Sequence, residues 1–308
     1  MAPVTTFING WRALRLSAGD VSLGLTPDIG GRIMSLTCGG HELLYVHPDG
    51  FGGSVDLAAI TDVSAFKAGF GFRLFGGDKI WVAPQREWLH RSPPVDLDAG
   101  RYSLERQDGW LVMVSPVCRE TGLRIVRRVR LEDGGTIHLE DELENATDRT
   151  LSRGIWNVTQ LYRPVDIYID AGPQDIRSYH LEDPTLPEPS VTPGQCGGWS
   201  GLACHSAGCF KFGGVPRTGR ACSVQAFAGE LVAFARVFEI DHGATYAHGS
   251  AVEVFNSDQY PYAELELHAP LGTIPPGGSV CLRQTWRLMR FSAGAGINEI
   301  AGRLFPAE

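Results

Sequence analysis

Glycine and proline decide what this chain can fold into. Thirty-eight glycines and nineteen prolines interrupt the 308 residues so often that few stretches hold a 3.6-residue apolar period, while many alternate apolar and polar residues. VSLGLTP, RIMSLTCGG, HELLYVHP, LVMVSPVC, LRIVRRVRL and TIHLEDELEN each give a strand, as do VDIYIDAG, LVAFARVFEI, AVEVFNS, AELELHAP and VCLRQTWRLMRF. The turns between them, EDGGT, NATDRT and PPGGS, are hairpin-like. The expected class is therefore all-β. Only DLAAITDVSAF (56–66) and NEIAGRLF (298–305) look helical.

With 43% hydrophobic and 20% charged residues, the chain is long enough for a large core. A net charge of −8 argues against a nucleic-acid partner, and Arg124–Arg130, RIVRRVR, alternates like a strand with a solvated face rather than a phosphate site. The start, MAPVTTFINGWRALRL, has no uninterrupted apolar region, and no stretch reaches the roughly eighteen apolar residues of a membrane span. A cytoplasmic protein is expected. The seven scattered cysteines suit reduced thiols. Cys196, Cys204, His205 and Cys209 lack the tight C-x₂₋₄-C pairing of zinc sites, so no metal is expected. No dinucleotide, P-loop or flavin fingerprint occurs, and no cofactor is expected. The proline-rich stretch 183–198 is read as a long loop within one domain spanning 1–308.

Two segments carry candidate chemistry. In FGGDKIWVAPQREW (75–88), Gly76 and Gly77 would let backbone approach closely, Trp81 or Trp88 would stack on a ligand, and Asp78, Lys79 and Gln85 would read hydroxyls or a carboxylate. In Tyr262–His268, alternation puts Ala263, Leu265 and Leu267 on one face and Tyr262, Glu264, Glu266 and His268 on the other. That second face is either a solvated surface or the floor of a groove. Same-face positions lie roughly 6.6 Å apart along a strand, so the glutamates would contact neighbouring hydroxyls rather than flank one glycosidic bond. Arg32, in GGRIM, would grip an acidic or hydroxyl-rich ligand or brace a turn.

PDIGGRIMSLTCGGHELLY near the start and YAELELHAPLGTIPPGGSVCLRQTWRL near the end, with GGDKIWVAPQREW and IWNVTQL between them, resemble the galactose mutarotase-like (aldose 1-epimerase-like) superfamily. They look like an uncharacterised bacterial branch of it, a domain of unknown function. The resemblance implies a supersandwich of large antiparallel sheets with a sugar-binding groove on a concave face. It implies a monosaccharide or sugar derivative as ligand and an aldose 1-epimerase-like isomerase as the activity. In the epimerases a glutamate takes the proton of the anomeric hydroxyl while a histidine protonates the ring oxygen. Glu266 matches that glutamate, with Glu264 next.

The histidine is where the sequence departs from the epimerases. Their Asn-His-x-Tyr-Phe-like run is replaced by RGIWNVTQLYR, in which Trp156, Asn157 and Gln160 can stack and hydrogen-bond but supply no acid. His248 and Lys79 are the replacement candidates, ahead of His242 and His180. His248 precedes AVEVFNS, which should pair with the glutamate strand through SDQYP. The missing histidine leaves two other readings open: a non-catalytic carbohydrate-binding protein and a lyase-type proton-transfer enzyme.

Overall fold

The alternating segments assemble into two large antiparallel sheets. The computed structural model describes residues 3–181 and 185–306. Among them, one sheet has twelve strands, and its path runs Val4–Ile8, Trp11–Ala18, Val21–Thr26, Arg32–Cys38, Asp78–Ala83, Leu151–Tyr162, Tyr262–His268, Val252–Asn256, Phe210–Gly214 and Ile176–Ser178. The other has ten and runs from Gly194–Cys196 through Trp199–Cys204, Val165–Ile169, Arg220–Phe227, Glu230–Phe238, Ser279–Ser292, Ile137–Asn145, Leu123–Leu131 and Trp110–Val114 to Ser103–Gln107. One apolar cluster draws on both: Leu23, Ile33, Leu265 and Leu267 from the first meet Ile125, Leu143, Phe234 and Trp286 from the second. The all-β expectation holds.

Hairpin chemistry builds strands that the sequence reading left out. Asn9-Gly10 and Asp108-Gly109 both carry positive φ at each position, 47° and 86° in the first and 49° and 84° in the second. This is the two-residue turn that matches strand twist, and it joins Val4–Ile8 to Trp11–Ala18 and Ser103–Gln107 to Trp110–Val114. Elsewhere the expectation was too generous. HELLYVHP holds only the strand His41–Glu42, followed by single bridges at Leu44 and Val46. The first helix begins later than expected, at Val63, where the Asp62 carboxylate caps it by accepting from the Ala65 amide at 3.0 Å. The last runs Ile297–Leu304. Residues 183 and 184 of the proline-rich stretch lie outside the described residues, and its far end forms the strand Gly194–Cys196.

The largest departure is Asp78–Ala83. The segment read as a ligand-gripping surface is a strand whose six residues are all buried, wedged between Arg32–Cys38 and Leu151–Tyr162. Its two leading glycines, with φ of 99° and 74°, serve the fold rather than a ligand. A Cβ at Gly76 would stand 2.5 Å from the Tyr45 carbonyl oxygen, and one at Gly77 would stand 2.5 Å from that of Ile33. RIVRRVR is a strand as expected, with Arg124 and Arg128 paired to Glu144 and Glu142 on its outer side. Arg127 alone turns inward, its side chain 1% exposed.

Candidate functional site

Antiparallel register places directly opposed residues on one face, so the candidate site can be built row by row across the twelve-stranded sheet. Trp81, Trp156 and His268 form one row. Lys79, Val158, Glu266 and Glu253 form the next. Gln160, Glu264, Phe255 and Lys211 form the third. This face floors a cavity of about 590 Å³, within the size range of small-ligand sites. The hairpin expected between Val252–Asn256 and the glutamate strand is present.

One wall is aromatic. The rings of Trp81, Trp88 and Trp156 pack together with centroids 5.0–5.6 Å apart, and each indole N–H donates to a fixed acceptor. Trp88 donates to the Val82 carbonyl at 2.7 Å, Trp81 to Asp98 at 2.6 Å and Trp156 to Glu266 Oε2 at 2.7 Å. Phe72 and Tyr262 continue the lining.

The polar floor centres on Glu253. Its Oε1 accepts from the Tyr179 hydroxyl at 2.6 Å and lies 3.1 Å from His248 Nδ1. Its Oε2 lies 2.7 Å from Lys211 Nζ and 3.2 Å from His268 Nε2. Lys211 also donates to Glu266 Oε2 at 3.0 Å, so one ammonium bridges two carboxyl groups. Burial opposes charging Lys211, but the two carboxylates outweigh it and raise its pKa. The carboxyls are driven apart. Burial, reinforced by the neighbouring acids against Lys211, lifts Glu266 well above the carboxylate range, whereas Lys211 and the two histidines overcome burial to hold Glu253 well below it. Burial lowers the His268 pKa against the pull of Glu253.

Ligand atoms of His248, Glu253 and His268 lie within 4.8 Å of one another, a spacing that a metal ion could bridge. Both Glu253 oxygens already face donors, and the Lys211 ammonium stands where a divalent ion would have to sit against it. The arrangement suits holding a proton better than holding a metal.

The sequence candidates divide into three groups. Trp81, Gln85, Trp88, Trp156, His248, Tyr262 and Glu264 line the cavity. Glu266, Lys79 and Gln160 lie beneath it: Gln160 donates to Glu264 at 2.7 Å, and Lys79 sits 3.6 Å from Glu264 and 4.5 Å over the Trp81 ring. Burial lowers the Lys79 pKa against the pull of Glu264. Arg32, Asp78 and Asn157 are elsewhere. Asp78 and Asn157 occupy the opposite face of their strands, between the sheets, where Asp78 binds Arg127, Thr159 and Asn157 itself. Arg32 is the brace, donating to Asp98 at 2.6 Å and to the Gly76 carbonyl at 3.1 Å. His242 faces the Arg217 carbonyl, and His180 the Leu186 carbonyl.

Sequence reasoning missed Lys211, Glu253, Tyr179 and Arg91. The first two had a signal, since Phe210-Lys211-Phe212 and Val252-Glu253-Val254 each set one charge between two core residues.

Solved structures share this fold at low identity. The Slr1438 protein from Synechocystis sp. PCC 6803 superposes with a TM-score of 0.60 at 14% identity, covering 94% of this chain and 99% of its own. A galactose mutarotase-like protein from Lactobacillus casei gives 0.58 at 10%, covering 90% and 100%. An aldose epimerase homologue from C. elegans gives 0.55 at 10%, covering 93% and 99%. The architecture is thus the galactose mutarotase-like supersandwich. No curated protein matches the chain. A family profile does, over residues 12–199, and the chain belongs to that family, the domain of unknown function DUF4380.

Proposed function

We propose that the protein binds a monosaccharide or sugar derivative in this cavity and interconverts its anomers by proton transfer, as an aldose 1-epimerase-like isomerase. The observation that carries this reading is the make-up of one sheet face. A tryptophan wall suited to sugar C–H surfaces stands over a floor holding carboxylates, an ammonium and an imidazole. The mutarotase-like neighbours support it through fold alone.

Glu264 is the carboxylate we assign to the anomeric hydroxyl, because it lines the cavity whereas Glu266 is fully buried below Lys211. This reverses the order drawn from the sequence. His248 is the proton donor to the ring oxygen: with Nδ1 held against Glu253, its Nε2 remains for the ligand. The enclosure of Glu266, the residue that matches the epimerase glutamate, favours a second reading, a sugar-binding protein without turnover.

A ligand found by thermal shift should show anomer exchange by NMR exchange spectroscopy, and Glu264→Gln should slow it about 10² to 10⁴-fold while binding persists. Full rate in that variant would move the base to Glu266. Binding by the wild type with no exchange would establish the binding-protein reading.

A further inference from the structure

Charge accounting around the cavity leaves one cation over. Among the described residues, Lys211 faces Glu253 and Glu266, His248 faces Glu253, and Glu264 faces Lys79. Arg91 also lines the cavity, is exposed, and its guanidinium makes no hydrogen bond or ion pair among the described residues. Gln85, likewise exposed and lining the cavity, has no partner for its side-chain amide among the described residues.

The segment that carries Arg91 is fastened at several points. The Trp88 indole donates to the Val82 carbonyl at 2.7 Å. The buried Lys67 holds the Ser92 carbonyl at 2.8 Å and Glu120 at 2.7 Å, and Glu120 in turn accepts from the Leu89 amide at 3.1 Å. His90 Nε2 meets the Ser64 hydroxyl at 3.0 Å. Between these anchors His90 and Arg91 both adopt left-handed backbone, with φ of 53° and 56°, a conformation that side-chain-bearing residues seldom take. A disfavoured backbone pinned from both sides fixes where the next side chain points, and here it sets a guanidinium at the cavity mouth.

We propose that Arg91, seconded by Gln85, binds an oxyanion carried by the sugar, a carboxylate or a phosphate. This rests on the sugar reading above and narrows its substrate class. The guanidinium fork matches either group bidentately. Because Arg91 stands at the exposed rim while Glu264 and Lys211 lie on the floor, the oxyanion belongs on a ring substituent away from the reacting carbon.

The test is isothermal titration with D-glucose, D-glucuronate and D-glucose 6-phosphate, and with the galactose counterparts, at low ionic strength. At least one charged sugar should bind about tenfold or more tightly than its neutral parent, and whether uronate or phosphate is preferred identifies the oxyanion. In Arg91→Gln that ratio should fall to within about twofold of one. Arg91→Lys, which keeps the charge but loses the fork, should fall between. Neutral sugars binding as tightly as both charged forms, or a preference that survives in Arg91→Gln, would overturn the inference and leave the sugar reading standing. If no sugar binds, charged or neutral, both fall together.

Discussion

Two polar clusters lie back to back on the same strands of the twelve-stranded sheet, and they are built to opposite ends. Between the sheets, Asp78, Asn157 and Thr159 meet Arg127 and Arg236, which reach across from the ten-stranded sheet to join Asp141 and Gln284. Side chains of Asp78, Asp141 and Arg127 are at most 1% exposed, and two arginines face two aspartates between the sheets. On the other face, Lys211 and His248 keep 17% of their side-chain surface open, and three glutamates share two lysines and two histidines. The closed cluster can only hold the sheets together. The open one borders a ligand-sized space. Burial of charge alone therefore does not mark a functional site; burial beside a ligand-sized cavity does.

That contrast can be broken by mutation. Arg127→Met should have the largest effect on stability. It strands Asp78 and Asp141 in a dry interior and should cost about 3–5 kcal/mol in urea unfolding, with sugar binding lost only in proportion to unfolded protein. A loss near zero would mean that the inter-sheet charges do not stabilise the fold. A smaller effect is expected on the open side from Glu266→Gln. The raised folded pKa of Glu266 means that the folded state holds its proton more tightly than the unfolded chain. Its contribution is complete below the ordinary carboxylate pKa, about 4.3, and is lost as pH rises from there through the raised value. Gln imitates the protonated group, so the variant should match wild type in acid and gain on it as pH rises. A constant offset between variant and wild type at every pH would show that folding does not shift the Glu266 pKa. The smallest effect is spectroscopic. Adding a ligand from the thermal-shift screen should change tryptophan emission, and Trp81→Phe or Trp88→Phe should reduce that change. An unaltered response in both would place the ligand away from the wall.

How much of this was legible depends on the distance over which each signal acts. Period-two alternation is local, so the β class and the face of Tyr262–His268 could be read directly. The strand Asp78–Ala83 was hidden because both of its faces are buried, one by the other sheet and one by the cavity floor. With no strand recognised, nothing showed that Asp78 and Lys79 point opposite ways, and Asp78 was grouped with the ligand readers. Lys211 and Glu253 bore the same one-charge-between-two-apolars signature as Glu264 and Glu266. The pairing of Val252–Asn256 with the glutamate strand was legible as a hairpin; what the sequence withheld was the place of Phe210–Gly214, one strand further out, which brings Lys211 to the site. Arg91 depends on a left-handed backbone imposed by Glu120 and Lys67 from distant segments, and nothing within its own neighbourhood announces it.

The adjacency of Asp78 and Lys79 also acts as a check on assembly. A slip of one residue in pairing Asp78–Ala83 with Leu151–Tyr162 would swap the two faces, leaving an aspartate against Glu264 and Glu266 and an ammonium between Arg127 and Arg236. Each swap sets like charges together in buried surroundings, at both faces at once. A one-residue slip of this central strand is thus penalised electrostatically as well as by packing, and the charge pattern that equips the cavity also helps to fix the register of the sheet that bears it.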